Sequence, residues 1–417
     1  MIKVIQKIPE GWNETKFEDL GEFFKGSGIT KNDLVQEGVP CIRYAELYTK
    51  FNFTIPDCVS FVSEKTAKAA KKIQKGDLLL AGSGETKEEI GKCAVYMGNV
   101  PAYAGGDNII FRANKSIPLY LSFFLNTLGR KQLNKLGQGD SIVHIHSSDL
   151  KNVVIPLPPL AEQEKIAEIL GAWDSAIEKL TALIAAKRLQ KKGLMQKLLT
   201  AQIRLPGFTG EWKKQTLGCL FSFHRSLSAS RAHLGEIGIP YLHYGDIHKT
   251  GKTSFNPETD ELPKLDYREN AEKYLLKNGD VVFVDASEDR KDASRFCVIK
   301  NKNNVPFLAG LHTVVARPKS DELNVDFSEF LFQSNDFRKQ VSILANGMKI
   351  FGVSKDILSN IVIQYPQNIV EQKAIADILS KADEEIDLLT RKLDLIQSQK
   401  KGLMQQLLTG KIRVKVA

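Results

Sequence analysis

The chain has 417 residues, 58 Lys and Arg against 49 Asp and Glu, a formal net charge of +9, and 42% hydrophobic residues. That length predicts two or three compact units, and the apolar share is enough to build real cores, which excludes global disorder or a fibre. No apolar run approaches the ~18–20 residues needed to span a bilayer, so no membrane association is expected.

The opening residues lack a secretory pattern. Five scattered cysteines (Cys41, Cys58, Cys93, Cys219, Cys297) without a C-x-x-C pair predict reduced thiols and a cytoplasmic location, with neither a disulfide scaffold nor a zinc site. The basic balance favours a polyanionic partner only weakly. The two helical segments described below carry +3 and +1, which leaves +5 for all the remaining residues.

In chain order, the first 157 residues read as a lobe of short β-rich runs: Cys41 to Tyr44, Asp77 to Leu80, Asn108 to Phe111 and Val153 to Ile155. One short helix is predicted from Leu119 to Leu128. Lys65, Lys68, Lys71, Lys72 and Lys75 are spaced three and four apart, which predicts a basic helical face able to track phosphates. Pro158-Pro159 then introduces a long helical segment to residue 204. A second lobe follows over 205–366, with a short helix predicted from Phe327 to Phe337, and a second long helix over 367–417.

The chain repeats itself. Residues 160–204 laid over 369–413 without a gap agree at twenty-two of 45 positions, where chance would give roughly three. The strongest block is Gln190-Lys191-Lys192-Gly193-Leu194-Met195-Gln196 over Gln399-Lys400-Lys401-Gly402-Leu403-Met404-Gln405. The lobes repeat more loosely, as in Gly38-Val39-Pro40 with Arg43-Tyr44 against Gly238-Ile239-Pro240 with His243-Tyr244.

Steps of three and four define a coiled-coil seam. In the first helix it runs through Ile166, Leu170, Trp173, Ile177, Leu180 and Ile184; in the second through Ile375, Leu379, Ile386, Leu389, Leu393 and Ile396. Lys191 and Lys400 fall on this seam close to Gly193 and Gly402, which predicts that pairing loosens or kinks there. Gly410 suits a helix C-cap, whereas Ala201 stands at the matching place in the first copy and predicts a different exit. The expected fold is α+β: two diverged lobes joined by two long helices that pair as an antiparallel coiled coil, in a pseudo-twofold arrangement.

Several catalytic signatures come close and fail. Gly245 to Thr253 has five residues between its glycines where a phosphate-binding loop needs four. Val281 to Lys291 offers Asp285, Glu288, Asp289 and Lys291 after a strand but lacks the proline–aspartate element of a metal-dependent nuclease. His144 and His146 would share one strand face without further ligands. No nucleophile elbow, dinucleotide fingerprint or amino-methyltransferase signature is present.

What remains is a set of polar and basic loops, met in duplicate. Ser83 and Lys87 follow a strand, and Ser287, Arg290 and Lys291 hold the matching place. Gln138, Asp140, Ser141 and His144 correspond to the segment bearing Lys349. With Arg43, Tyr44, Lys68, Lys71, Lys72, Arg225, Arg231, His243 and Tyr244, these residues form the candidate DNA-contacting set, because they combine close approach with donors and acceptors for base edges.

The pattern E-Q-x-x-I-A-x-I-L-x-x-x-D, later Q-K-K-G-L-M-Q-x-L-L-T and I-R, stands at Glu162 to Arg204 and again at Glu371 to Arg413. It resembles that of type I restriction–modification DNA-specificity subunits, as do Ile8-Pro9-Glu10-Gly11-Trp12 and Ile155-Pro156-Leu157-Pro158-Pro159. The resemblance implies two target-recognition domains (1–157 and 205–366), each reading one half of a bipartite site in double-stranded DNA. It implies two spacer helices (158–204 and 367–417) that dock two modification subunits, with restriction subunits able to join. S-adenosylmethionine and adenine-N6 methylation would belong to those partners, and the chain itself would hold no cofactor and no catalyst. The rival from the residues alone is a coiled-coil adaptor with two protein-binding lobes. A self-contained nuclease or methyltransferase is the remaining alternative.

Overall fold

The computed structural model describes residues 8–266, 271–287, 295–345 and 351–416, without the side chains of Ala286 and Phe351. The chain divides into two compact units, Met1–Thr181 with Arg391–Ala417, and Ala182–Thr390. Each unit therefore holds one lobe and part of both long helices.

In the first unit one sheet runs in the order Gly21–Lys25, Asn108–Ala113, Leu78–Ala81, Cys93–Tyr96, Thr54–Ile55. A second sheet runs Leu34–Val35, Ser60–Val62, Val39–Ile42, Ala102–Ala104, Lys71–Ile73. The second unit repeats the first sheet strand for strand as Phe221–Arg225, Thr313–Pro318, Val281–Val284, Phe296–Ile299, Ser254–Phe255. The partner sheet of that unit has four strands among the described residues. Leu78–Ala81 and Val281–Val284 are buried at every position, as a strand covered on both faces must be, so they read as unbroken apolar runs.

Both lobes anchor that central strand in the same way. Asp77 receives two hydrogen bonds from Arg112, each 2.8 Å, and Asp280 receives two from Arg317, at 2.9 and 2.7 Å. The carboxylates are 1% and 0% exposed, so each paired Arg offsets a desolvation that would otherwise be severe.

The structure corrects several expectations. The helix expected over 119–128 is present as Pro118–Leu125, with a second helix, Arg130–Leu136, following it, whereas 327–337 is split between Val325–Gln333 and Asn335–Leu344. Ser334 leaves helical geometry at ψ 149 and caps the next helix through the Phe337 amide, which explains the break. The lysine-rich run is no continuous helical face. The helix covers only Glu64–Ala69, Ala70 is extended, and Lys71–Ile73 is a strand paired with Ala102–Ala104. His144 lies in the strand Val143–His144, but His146 caps the helix Ser147–Leu150, so the two share no strand. Gly245 sits in the first turn of the helix Tyr244–Thr250, and no phosphate cradle forms there.

The first long helix spans Leu160–Leu198 and the second Ile369–Leu407. Both run unbroken through Gly193 and Gly402. In the first unit Ile166 and Leu170 share a core with Met404, Leu407 and Leu408 and with lobe residues such as Phe123 and Leu150. In the second unit Ile375, Ala376 and Leu379 share one with Leu198, Leu199, Phe327 and Phe330. Ile184 and Ile386 are buried, and Trp173, Ile177, Leu180, Leu389, Leu393 and Ile396 are half-buried.

The helices pair antiparallel within each unit. Lys400 meets Asp174 while Arg413 meets Glu162, and Lys191 meets Asp383 while Arg204 meets Glu371. The seam lysines do not loosen the pairing, because each takes a carboxylate from the facing helix and lays its ammonium over a lobe phenylalanine: Lys400 over Phe53 at 4.2 Å, Lys191 over Phe330 at 5.4 Å.

The helix exits also agree. Ala201 adopts φ +57 and Gly410 φ +65, the same left-handed turn. Alanine accepts it at a cost of roughly 1–2 kcal/mol, and glycine is needed at 410, where an added Cβ would lie 2.4 Å from Pro9.

Candidate nucleic-acid interface

At the end of each central strand a single residue ties three segments together. The Gly82 amide donates to the Asp107 carbonyl (2.7 Å) and its own carbonyl accepts from Ile145 (2.9 Å). In the second lobe the Asp285 amide donates to the His312 carbonyl (3.0 Å) and its carbonyl accepts from Val353 (2.8 Å). A two-stranded ribbon leaves each node: Ser83–Gly84 with Val143–His144, and Ala286–Ser287 with Phe351–Gly352.

This ribbon gathers several of the candidates. The Ser83 hydroxyl lies 2.8 Å from His144 Nδ1, and Gln138 and His144 exchange backbone hydrogen bonds at 2.9 and 2.8 Å. Ser83 is buried and His144 exposed, so Ser83 holds the imidazole while the histidine faces solvent. Asp140 and Ser141 are exposed on the loop between, and Lys87 is exposed just beyond the ribbon. Ser287 occupies the matching ribbon and is buried; Arg290, Lys291 and Lys349 lie outside the described residues, as do Glu288 and Asp289.

A second group surrounds the helices Tyr44–Thr49 and Tyr244–Thr250. Arg43 is held against the buried carboxylate of Glu46, which also receives the Ser60 hydroxyl and the Arg43 amide. His243 is 5% exposed, and its Nδ1 accepts from the Gly245 amide at 3.1 Å. These two residues therefore set helix starts, and the adjacent Tyr44 and Tyr244 are half-exposed. Tyr244 meets the His312 ring edge-on at 5.3 Å, and Arg231, largely exposed, reaches Asp246 at 3.3 Å. Arg225 is exposed at the end of its strand. Lys68 and Lys72 are exposed, and Lys71 turns its ammonium over Phe24 at 4.5 Å.

Burial pushes the His243 imidazole below its usual range, assisted by Arg231 and His312 and opposed by Asp246. A lowered folded value means that the unfolded chain takes up the proton first, so stability falls as pH drops below about 6.5 toward the folded value. Protonation at Nδ1 also destroys the cap. The second lobe should therefore melt at lower temperature at pH 5.5 than at pH 7.5. His243→Asn keeps a cap without titrating and should remove most of that difference; scanning calorimetry at both pH values checks it, and an unchanged difference would reject the role.

Among the described residues, no group of three or more His, Cys, Asp or Glu is placed to hold a metal ion, and no helix is long and apolar enough to cross a membrane. The sequence missed the Asp77–Arg112 and Asp280–Arg317 anchors, the Asp107 and His312 tips, and the pairing of Glu162 with Arg413 and Glu371 with Arg204. The last left a signal, since both residues are identical in the two repeats, and so did the aspartates, since Gly76-Asp77 and Gly279-Asp280 each precede an apolar run.

Two lobes of one design, each sending a short two-stranded ribbon from the end of its central strand and sharing two long helices, define a duplicated recognition subunit. The family described as type I restriction modification DNA specificity domain matches the chain twice, over 9–188 and 209–398. The chain belongs to this family: it is a type I restriction–modification specificity subunit with two DNA target-recognition domains, a non-catalytic component. It is 26% identical to the type I restriction enzyme MjaVIII specificity subunit of Methanocaldococcus jannaschii, over 98% of this chain and 95% of that one. It is 24% identical to the EcoKI specificity subunit of Escherichia coli K12, over 98% and 89%. The crystal structure of the S subunit from M. genitalium has the same fold, with a TM-score of 0.60 at 16% identity over 97% of this chain and 98% of that one.

Proposed function

We propose that each lobe reads one half of a bipartite site in double-stranded DNA and that the paired helices set the gap between halves. The duplication carries this reading: one scaffold built twice, with exposed surfaces that differ, suits two different half-sites. The domain limits that go with it are 1–157, 158–204, 205–366 and 367–417. Exposed Lys68, Lys72, Lys87, Gln138, Asp140, Ser141, His144, Arg225 and Arg231 are the contacts of choice, with Arg43 and His243 at helix starts and Ser83 holding His144 behind them. The helices would dock two modification subunits that bind S-adenosylmethionine and methylate adenine N6, with restriction subunits joining in the cytoplasm.

Inserting four helical residues near Ala185, and four at the facing position of the second helix, lengthens the pair by ~6 Å, close to two base pairs at ~3.4 Å each. Sequencing methylated sites from cells carrying the complete system gives the gap directly. A gap unchanged by the insertion rejects the spacer role. DNA affinity of the assembled complex that ignores salt would favour the adaptor reading.

A further inference from the structure

The two lobes agree at several of the residues that support the fold. The central-strand Asp–Arg anchor, the node hydrogen bonds and the ribbon occur in both. Gln132 and Gln340 repeat too, each exchanging two hydrogen bonds with a strand backbone, at Val154 and at Val362. A difference in half-site must therefore come from positions where the backbone is shared, the side chain is exposed and the chemistry diverges.

Asp107 and His312 meet all three conditions. Both follow a glycine-containing turn, both have left-handed backbones (φ +59 and +58), and both give their carbonyl to the node residue. A left-handed backbone favours glycine, and Asp and His are among the other residues that accept it most readily, so both copies can carry a polar side chain there that the turn itself does not require. Asp107 is exposed, and the His312 side chain is 49% exposed. Neither does structural work through its side chain comparable to the buried anchors.

We propose that Asp107 and His312 are equivalent base-reading positions, one in each half-site; this rests on the two-lobe reading above. An aspartate can only accept, and phosphates repel it, so Asp107 suits the exocyclic amino group of cytosine or adenine in the major groove. His312 has two close neighbours. Its Nδ1 lies 3.3 Å from Asp285 Oδ1, and its ring meets Tyr244 at 89°, which leaves Nε2 to meet a base edge. Asp285 sets a carboxylate beside the imidazole without a hydrogen bond to it and would act on His312 through its charge, and Gly82, which stands at its place in the first lobe, leaves Asp107 without such a neighbour.

The test uses the assembled modification complex and a DNA library randomised in both half-sites. Asp107→Asn and Asp107→Gly should change preference at a single base pair of one half-site, and His312→Gln and His312→Gly at a single base pair of the other, each by about ten- to a hundredfold. The glycine variants suit the left-handed backbone, so melting temperatures should hold or rise while discrimination is lost. Asp285→Asn should blur the His312 base pair alone. Unchanged preferences, or equal losses at every position, would overturn the assignment. A wild-type preference for one contiguous block would overturn the two-lobe reading and this assignment with it.

Discussion

Lys400→Met is expected to destabilise the first unit by about 3 kcal/mol, whereas Lys400→Met combined with Asp174→Leu should cost little. The Lys400 side chain is 7% exposed and Asp174 33%. Burial pushes the ammonium below its ordinary range and the carboxyl above its own, while their mutual hydrogen bond works against both shifts. The pair is thus costly to desolvate and costly to break. Methionine retains the packing over Phe53 but leaves Asp174 without its partner, and the one-third exposure of Asp174 puts the loss at the low end of the usual range of ~3–5 kcal/mol. The matching Lys191→Met should cost less, since Asp383 is 42% exposed. Urea denaturation of the three variants checks the order. A double variant as unstable as the single one would show that the pair stabilises beyond mutual neutralisation.

Arg413→Met should cost about 3–5 kcal/mol, more than Glu162→Leu. The asymmetry follows from exposure: the Glu162 side chain is 3% exposed and Arg413 43%. Arg413 makes two 2.7 Å hydrogen bonds to Glu162 and another to the Glu10 carbonyl, and the Trp12 indole N–H donates to the same carboxylate at 3.1 Å. Removing the arginine strands a buried anion, while removing the glutamate returns the cation to water and orphans only the indole. The Trp12 and Trp212 positions give a finer check, because the Trp212 indole nitrogen is buried without a hydrogen-bond partner among the described residues. Trp12→Phe should cost about 1–2 kcal/mol more than Trp212→Phe. Equal costs for Arg413→Met and Glu162→Leu in guanidinium titrations would refute the argument.

The long helices were legible because duplication and a three–four spacing survive in a linear sequence. So was the correspondence of the two loop pairs, since small residues after an apolar run mark a strand leaving the sheet, and the ribbon pairing joins those loops. The lysine run misled because a spacing of three and four also fits a short helix followed by a strand; Ala70, which ends the helix, carries no sequence mark. The seam lysines misled for another reason. Lys191 and Lys400 look like breaks until the partner register is known, and Asp383 and Asp174 supply it only in three dimensions. Arg43 and His243 read as exposed contacts, yet Glu46 and the Gly245 amide turn them inward. Asp107 and His312 were invisible because a left-handed backbone at a non-glycine residue has no signature of its own.

Each unit draws on residues far apart in the chain, and this bears on synthesis. The second unit, Ala182–Thr390, is complete once residue 390 has emerged. The first begins earlier but waits for Met404, Leu407, Leu408 and Arg413, more than two hundred residues after its own start on the first helix. At ~5–20 residues per second that delay is roughly 10–50 s. The lobe translated first is thus the last to close, and its apolar flank stays open on the ribosome long enough for a chaperone to matter.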